Sequence, residues 1–202
     1  MMLDPFYLIV DDVSWVARLV PLGVRLVQLR VKNCPEEEVR RQVREARAIC
    51  AHYGAQLIVN DFWRLAIEEG CDAIHLGQED LAGADLAAIR RAGLRFGIST
   101  HDHAELDQAL SVRPDYVALG PIYPTRLKAM PWAPQGLERI AEWKRRIEGL
   151  PLVAIGGLSV ERAPGALAAG SDSLAVVTDV TLDPDPENRV RQWLQATRKV
   201  AA

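Results

Sequence analysis

Short apolar runs alternate with helix-patterned stretches along the whole chain, and a polar cluster ends nearly every run. The runs predict eight strands at Phe6–Asp11, Leu26–Arg30, Gln56–Asp61, Ala73–Gly77, Arg95–Ser99, Tyr116–Gly120, Leu152–Gly156 and Ser173–Thr178. They are rich in Val, Ile and Leu and mostly lack alternation with polar residues, as parallel strands covered on both faces require. The stretches between them predict amphipathic helices. Pro35–His52 is the clearest: proline stands at the first helical position, glutamates 36 to 38 follow and arginines come later, an order that suits the helix dipole. Gly23, Gly70, Gly93 and Gly170 each follow a helical stretch, where a left-handed cap favours glycine.

Strand and helix repeated eight times predict an α/β chain folded as a single-domain (β/α)8 TIM barrel over residues 1–202. The runner-up, a doubly wound open sheet, lacks a Gly-x-Gly-x-x-Gly turn after its first strand. The longest insertion, Pro121–Gln135, separates strand six from its helix.

Composition bounds the function. With 202 residues, 49% hydrophobic and 25% charged, the chain can bury one full core. A formal net charge of −3 argues against nucleic acid as the main partner. Apolar stretches of strand length leave no membrane span, and residues 1–7 lack a basic start and an export-type apolar region. Cys34, Cys50 and Cys71 are odd in number and without metal-ligand spacing, which implies free thiols in a reducing cytoplasm. The expected partners are small molecules; a homo-oligomer stays open.

The polar tails carry the chemistry, because a parallel barrel collects the carboxyl ends of its strands around one mouth. Asp61 closes one strand and Asp80 lies a few residues past the next, so both can face the same mouth, and Mg2+ takes one or two carboxylates while keeping waters and phosphate oxygens. Either aspartate alone reads slightly better as a helix cap; the pair beside cations favours metal. Most of the 24 lysines and arginines are solvated surface. Arg30, Lys32 and Lys128 stand out as phosphate clamps by their place in the loops of that face. Gln28 and Asn60 add neutral donors. Gly156-Gly157 after strand seven and Val177-Thr178 at strand eight fall where such barrels usually bind phosphate, with Ser159 and Thr178 supplying hydroxyls. His101 and His103 lack a third metal ligand and read as loop residues. His75 reads as a satisfied core histidine, and Trp132 in the long loop as a shield for the site.

These residues resemble the thiamine phosphate synthase family, and the likeness runs through almost the whole chain. Gln28-Leu-Arg30-Val31-Lys32 looks like the family's Q-L-R-E-K, Asn60-Asp61 its N-D, and His75 through Leu81 its H-L-G-Q-E-D-L. Ser99-Thr100-His101, Gly120 through Thr125 with Lys128, Ile155-Gly156-Gly157 and Val176-Val177-Thr178 follow in family order. The resemblance implies a Mg2+-dependent transferase that joins hydroxymethylpyrimidine diphosphate to a thiazole phosphate, releasing pyrophosphate. It implies Asp61 and Asp80 as metal ligands, and Arg30, Lys32, Ser99 and Lys128 as catalytic residues. Gln28 and Asn60 would hold the pyrimidine diphosphate; Thr125, Gly157, Val177 and Thr178 the thiazole phosphate. Val31 replaces a glutamate, Leu127 a second threonine, Met130 an aspartate and Arg162 an asparagine. Leu127 removes a hydroxyl from the implied thiazole-phosphate cradle, where Arg126 offers charge instead.

Two competitors share the barrel. A thiazole tautomerase needs a proton-transferring side chain in the sixth-strand loop, where that family usually has histidine and this chain has Pro121. A non-catalytic thiazole-phosphate sensor has no need of the carboxylates and cations that this chain retains.

Overall fold

The computed structural model describes residues 2–125 and 132–198. Eight parallel strands close into a barrel in sequence order, with the last paired to the first. They are β1 (Phe6–Val10), β2 (Leu26–Leu29), β3 (Gln56–Asn60), β4 (Ala73–Leu76), β5 (Arg95–Thr100), β6 (Tyr116–Leu119), β7 (Leu152–Ile155) and β8 (Ser173–Val176). The helices are α1 (Val13–Leu19), α2 (Glu36–Tyr53), α3 (Trp63–Glu68), α4 (Gln78–Gly83), α5 (Leu86–Arg91), α6 (His103–Ser111), α7 (Gly136–Arg146), α8 (Ala163–Ala168), α9 (Thr178–Thr181) and α10 (Pro186–Arg198). The (β/α)8 barrel expected from the alternation is the fold.

Seven strands stop one or two residues short of the sequence expectation, because their polar tails leave the ladder. Asp61 turns out of β3 at a φ of 64°, and Val177-Thr178 start α9 instead of ending β8. β5 runs one residue further, to Thr100. Pro35 is the cap before α2 rather than its first residue. Val39, Val43, Ala46 and Cys50 form the buried stripe of α2, and Gly54 ends it at a left-handed φ of 67°.

Side chains divide between two cores. Residues such as Val27, Val59, Ile74, Ile98 and Leu174 point out of the barrel against the helices. Tyr7, Leu26, Ile58, Tyr116 and Val153 fill the interior, and Leu3 packs with them. Among the described residues the interior is thus a plug of side chains. One register layer runs Asn60, His75, Gly97, Tyr116 across β3 to β6. Glycine is required there: a Cβ at Gly97 falls 2.0 Å from the Tyr116 ring.

The seam is locked from outside. Phe6 and Trp193 stack at 5.5 Å, and the Trp193 indole N–H donates to Asp179 at 2.8 Å. Arg189 clasps the same carboxylate through two contacts of 2.9 Å, fixing the start of α9 beside Thr178. Trp193→Phe keeps a ring against Phe6 and loses the donor, so it should cost about 1–3 kcal/mol. Urea unfolding checks this; a midpoint unmoved from wild type contradicts it.

Candidate active site

The carboxyl ends of β2 to β5 carry one group of charged side chains. Lys32, past β2, reaches Asp61, past β3, with Nζ 2.5 Å from Oδ2. Asp80, in the first turn of α4, lies within hydrogen-bonding reach of Asp61. Burial, then the charge and contact of Asp61, push the Asp80 carboxyl above its ordinary value; Lys32 and the Gly77 backbone N–H pull the other way. Asp80 thus faces both the Gly77 backbone N–H at the start of α4 and Asp61, and neither α3 nor α4 has a side-chain bond from its N-cap residue. Asp61 is held in the left-handed region, which aspartate tolerates better than most residues and which often marks a functional position.

The two aspartates bring excess negative charge to one point, only partly offset by Lys32. Among the described residues no cluster of three or more His, Cys, Asp or Glu side chains is placed to hold a metal. A donor set of two carboxylates fits Mg2+, which completes its shell with water and phosphate oxygens; it does not fit Zn2+.

Directly inward lies His75. Burial, reinforced by the positive charge of Arg30 and opposed by Asp80, pushes its imidazole down to about 4, so the ring is neutral near pH 7. Both nitrogens are bonded: Nε2 to the Ser99 hydroxyl at 2.8 Å and Nδ1 to the Tyr116 hydroxyl at 2.8 Å. The satisfied core histidine expected from the sequence is present, and it touches an expected site residue. Gln78 Nε2 donates to the Ser99 carbonyl at 2.6 Å. Asn60 is buried within the layer that holds His75. Gln28 lies deeper: it is 2% exposed and its Nε2 donates to the Tyr7 hydroxyl at 2.6 Å.

A second group surrounds β6 to β8. Gly156 and Gly157 both take left-handed φ values, 96° and 63°, and press against the loop after β6. A Cβ on Gly157 falls 2.5 Å from the Pro124 carbonyl, which brings the Thr125 loop beside this turn. Arg162 stacks on Tyr123 at 4.4 Å and donates to the Gly157 carbonyl, so the replacement of asparagine puts a cation against the turn. The Val177 side chain packs against the interior core, and Val177 precedes α9, which Thr178 opens. Lys128, with Arg126, Leu127 and Met130, lies outside the described residues. Trp132 stacks on His101 at 4.0 Å. His101 bonds Glu105 from the turn after β5, whereas His103, expected in the loop, opens α6 and bonds Glu142. Val31 is buried in the outer core, so the residue in place of glutamate points away from the rim.

Sequence reasoning did not single out Tyr7, Tyr116 or Gly97. Their available signal was a polar or missing side chain at inward-facing strand positions.

Residues 6–180 match the family model described as thiamine monophosphate synthase. A thiamine-phosphate synthase of Rhizobium etli is 66% identical over 197 residues, spanning 98% of this chain and 97% of its own. One from Cronobacter sakazakii is 50% identical over 194 residues, spanning 96% and 89%. Among solved structures, a thiamine phosphate pyrophosphorylase from Pyrococcus furiosus superposes with a TM-score of 0.88 at 26% identity over 98% of both chains. A 3-hexulose-6-phosphate synthase from Salmonella typhimurium, at 13% identity and a TM-score of 0.75, shares the fold alone.

Proposed function

We propose, on the premise that this chain belongs to the thiamine monophosphate synthase family, that the rim of β2 to β5 drives pyrophosphate out of hydroxymethylpyrimidine diphosphate while β6 to β8 present the thiazole phosphate. The observation that carries this reading is the convergence of Asp61, Asp80 and Lys32 above Ser99 and His75.

The bond that breaks joins the pyrimidine methylene carbon to a diphosphate oxygen, and its electrons leave with the oxygen. The bond that forms uses the lone pair of the thiazole nitrogen on that carbon, giving thiamine phosphate. No base or covalent nucleophile is needed; stabilising the departing negative charge lowers the barrier most. Asp61 and Asp80 would hold Mg2+, which neutralises diphosphate charge when bound. Arg30 and Lys32 add fixed positive charge, and Lys128 adds a third from the segment between Thr125 and Trp132. Ser99 donates to the diphosphate, and Asn60 holds the pyrimidine, with Gln28 beneath it. The Gly157 and Val177 backbone N–H groups, Thr125 and Thr178 take the thiazole phosphate, with its nitrogen oriented toward the carbon.

The tautomerase reading lacks its proton carrier, since Pro121 sits buried at the position that would supply one. The free thiols of Cys34, Cys50 and Cys71 fit a reducing compartment such as the cytoplasm. No helix among the described residues is long and apolar enough to cross a membrane.

Purified protein mixed with Mg2+ and both substrates should form thiamine phosphate and pyrophosphate in equal amounts, and chelation should stop it. Interconversion of thiazole isomers without pyrophosphate would favour the tautomerase instead.

A further inference from the structure

Five polar side chains from five strands make one continuous hydrogen-bonded chain through the barrel interior. Gln28 Nε2 meets the Tyr7 hydroxyl at 2.6 Å, and that hydroxyl meets the Tyr116 hydroxyl at 3.1 Å. Tyr116 meets His75 Nδ1 at 2.8 Å, and His75 Nε2 meets Ser99 Oγ at 2.8 Å. Tyr7 and Tyr116 are fully buried, Gln28 and His75 nearly so, and Ser99 alone opens toward the rim. Nothing in the bond-breaking scheme above uses Tyr7, Tyr116 or His75.

A chain of this kind has only two self-consistent directions, and its deep end selects one. The Gln28 amide nitrogen is a donor only, so Tyr7 accepts there. Tyr7 also bonds Tyr116, and its own proton is satisfied only if it donates along that contact. Tyr116 then donates to His75 Nδ1, which must be the unprotonated nitrogen. The single imidazole proton sits on Nε2 and is given to Ser99 Oγ. The serine proton remains unclaimed inside the barrel and is free to point at the mouth. In the opposite direction Ser99 spends its proton on His75 and turns only lone pairs toward the rim, which repel an anion.

We propose that this buried chain is a directional positioning device: it holds His75 as the Nε2–H tautomer so that Ser99 acts as a hydrogen-bond donor to the anionic group leaving at the rim. His75, Tyr116 and Tyr7 are then positioning residues that act through Ser99. The inference rests on the diphosphate reading of the rim for what Ser99 donates to, but not for the direction of the chain. Gly97 is part of the device, since its missing side chain lets His75 and Tyr116 meet across β5.

Two measurements test it. In the ligand-free full chain with 15N-labelled histidine, long-range 1H–15N correlation reads the tautomer of each of the four histidines, assigned by Gln replacement of His52, His101 and His103 one at a time. His75 should carry its proton on Nε2; a proton on Nδ1 overturns the direction and the proposal with it. The second measurement is a kinetic cycle on Tyr116→Phe, which keeps the ring and removes the donor. Alone it should lower kcat about tenfold, the worth of one hydrogen bond, with both KM values within roughly twofold. On a Ser99→Ala background, itself slowed about a hundredfold or more, the further loss should be below about twofold. Losses that simply multiply would show that Tyr116 does not act through Ser99 and overturn the proposal. If Ser99→Ala turns over normally while His75 keeps the Nε2 proton, the chain does not serve the reaction and the proposal fails. The carboxylate rim is then judged separately, by its Mg2+ dependence.

Discussion

Asp80→Ala should lower Mg2+-dependent thiamine phosphate formation by at least about a thousandfold, or ~4 kcal/mol of transition-state stabilisation. The loss should appear in kcat at saturating Mg2+, because the carboxylate contributes most when diphosphate charge develops. The fold should survive, since the side chain is only partly buried and lies in a short helix at the rim. Stability gives an independent reading through the neutral variant Asp80→Asn. The Asp80 carboxyl is raised in the folded state by burial and by Asp61. Its protonated form therefore stabilises the fold below the ordinary aspartate value of 3.8, and that contribution is lost as pH rises through the folded value. Without metal, Asp80→Asn should melt higher than wild type at pH 7, and the difference should vanish in strong acid. Mg2+ should raise the melting temperature of wild type but not of the variant. A variant that keeps wild-type turnover, or that melts lower than wild type at pH 7, removes the pair from the metal role.

Gly97→Ala adds a single methyl group and should still be among the most damaging changes to this chain. The new Cβ would lie 2.0 to 2.4 Å from three ring carbons of Tyr116. Those atoms cannot yield like the end of a flexible chain, because the ring is buried between Tyr7 and His75. Either β5 moves away from β6 or Tyr116 leaves its place, and its bonds to His75 and Tyr7 go with it. Overpacking costs about 1–3 kcal/mol and occasionally more; the rigid ring and the severed bonds place this case at or above the upper end. Denaturant unfolding should show that loss. A midpoint within error of wild type would mean the interior is much looser than its contacts indicate. Gly97→Ala combined with Tyr116→Ala should recover part of the stability lost to the clash, because the obstructing ring is gone.

Much of this molecule was legible before any coordinates. Apolar runs without alternation locate the eight strands, and polar residues at their ends locate the rim, because a closed parallel sheet leaves those tails nowhere else to gather. Local features misled at the boundaries. Asp61 reads as the last strand residue, yet the backbone turns left-handed there to meet Lys32 and Asp80. Gln28 reads as a rim donor beside Arg30, but it is pinned under the rim by Tyr7, a bond that exists only once β1 and β2 pair. The same limit hid the interior chain. Tyr7 and Tyr116 are separated by 109 positions and each alone looks like an ordinary aromatic of the core. Only barrel closure makes them neighbours. By contrast, Arg162 was legible as a departure from the family pattern, while its stacking on Tyr123 was not.

The plugged interior governs traffic. With Leu3, Tyr7 and Tyr116 stoppering the barrel from within, the described residues leave no rear exit, so on the proposed reaction two reactants and two products share one doorway. On the proposed reading, free pyrophosphate should compete at that threshold with the diphosphate reactant for the place beside Ser99.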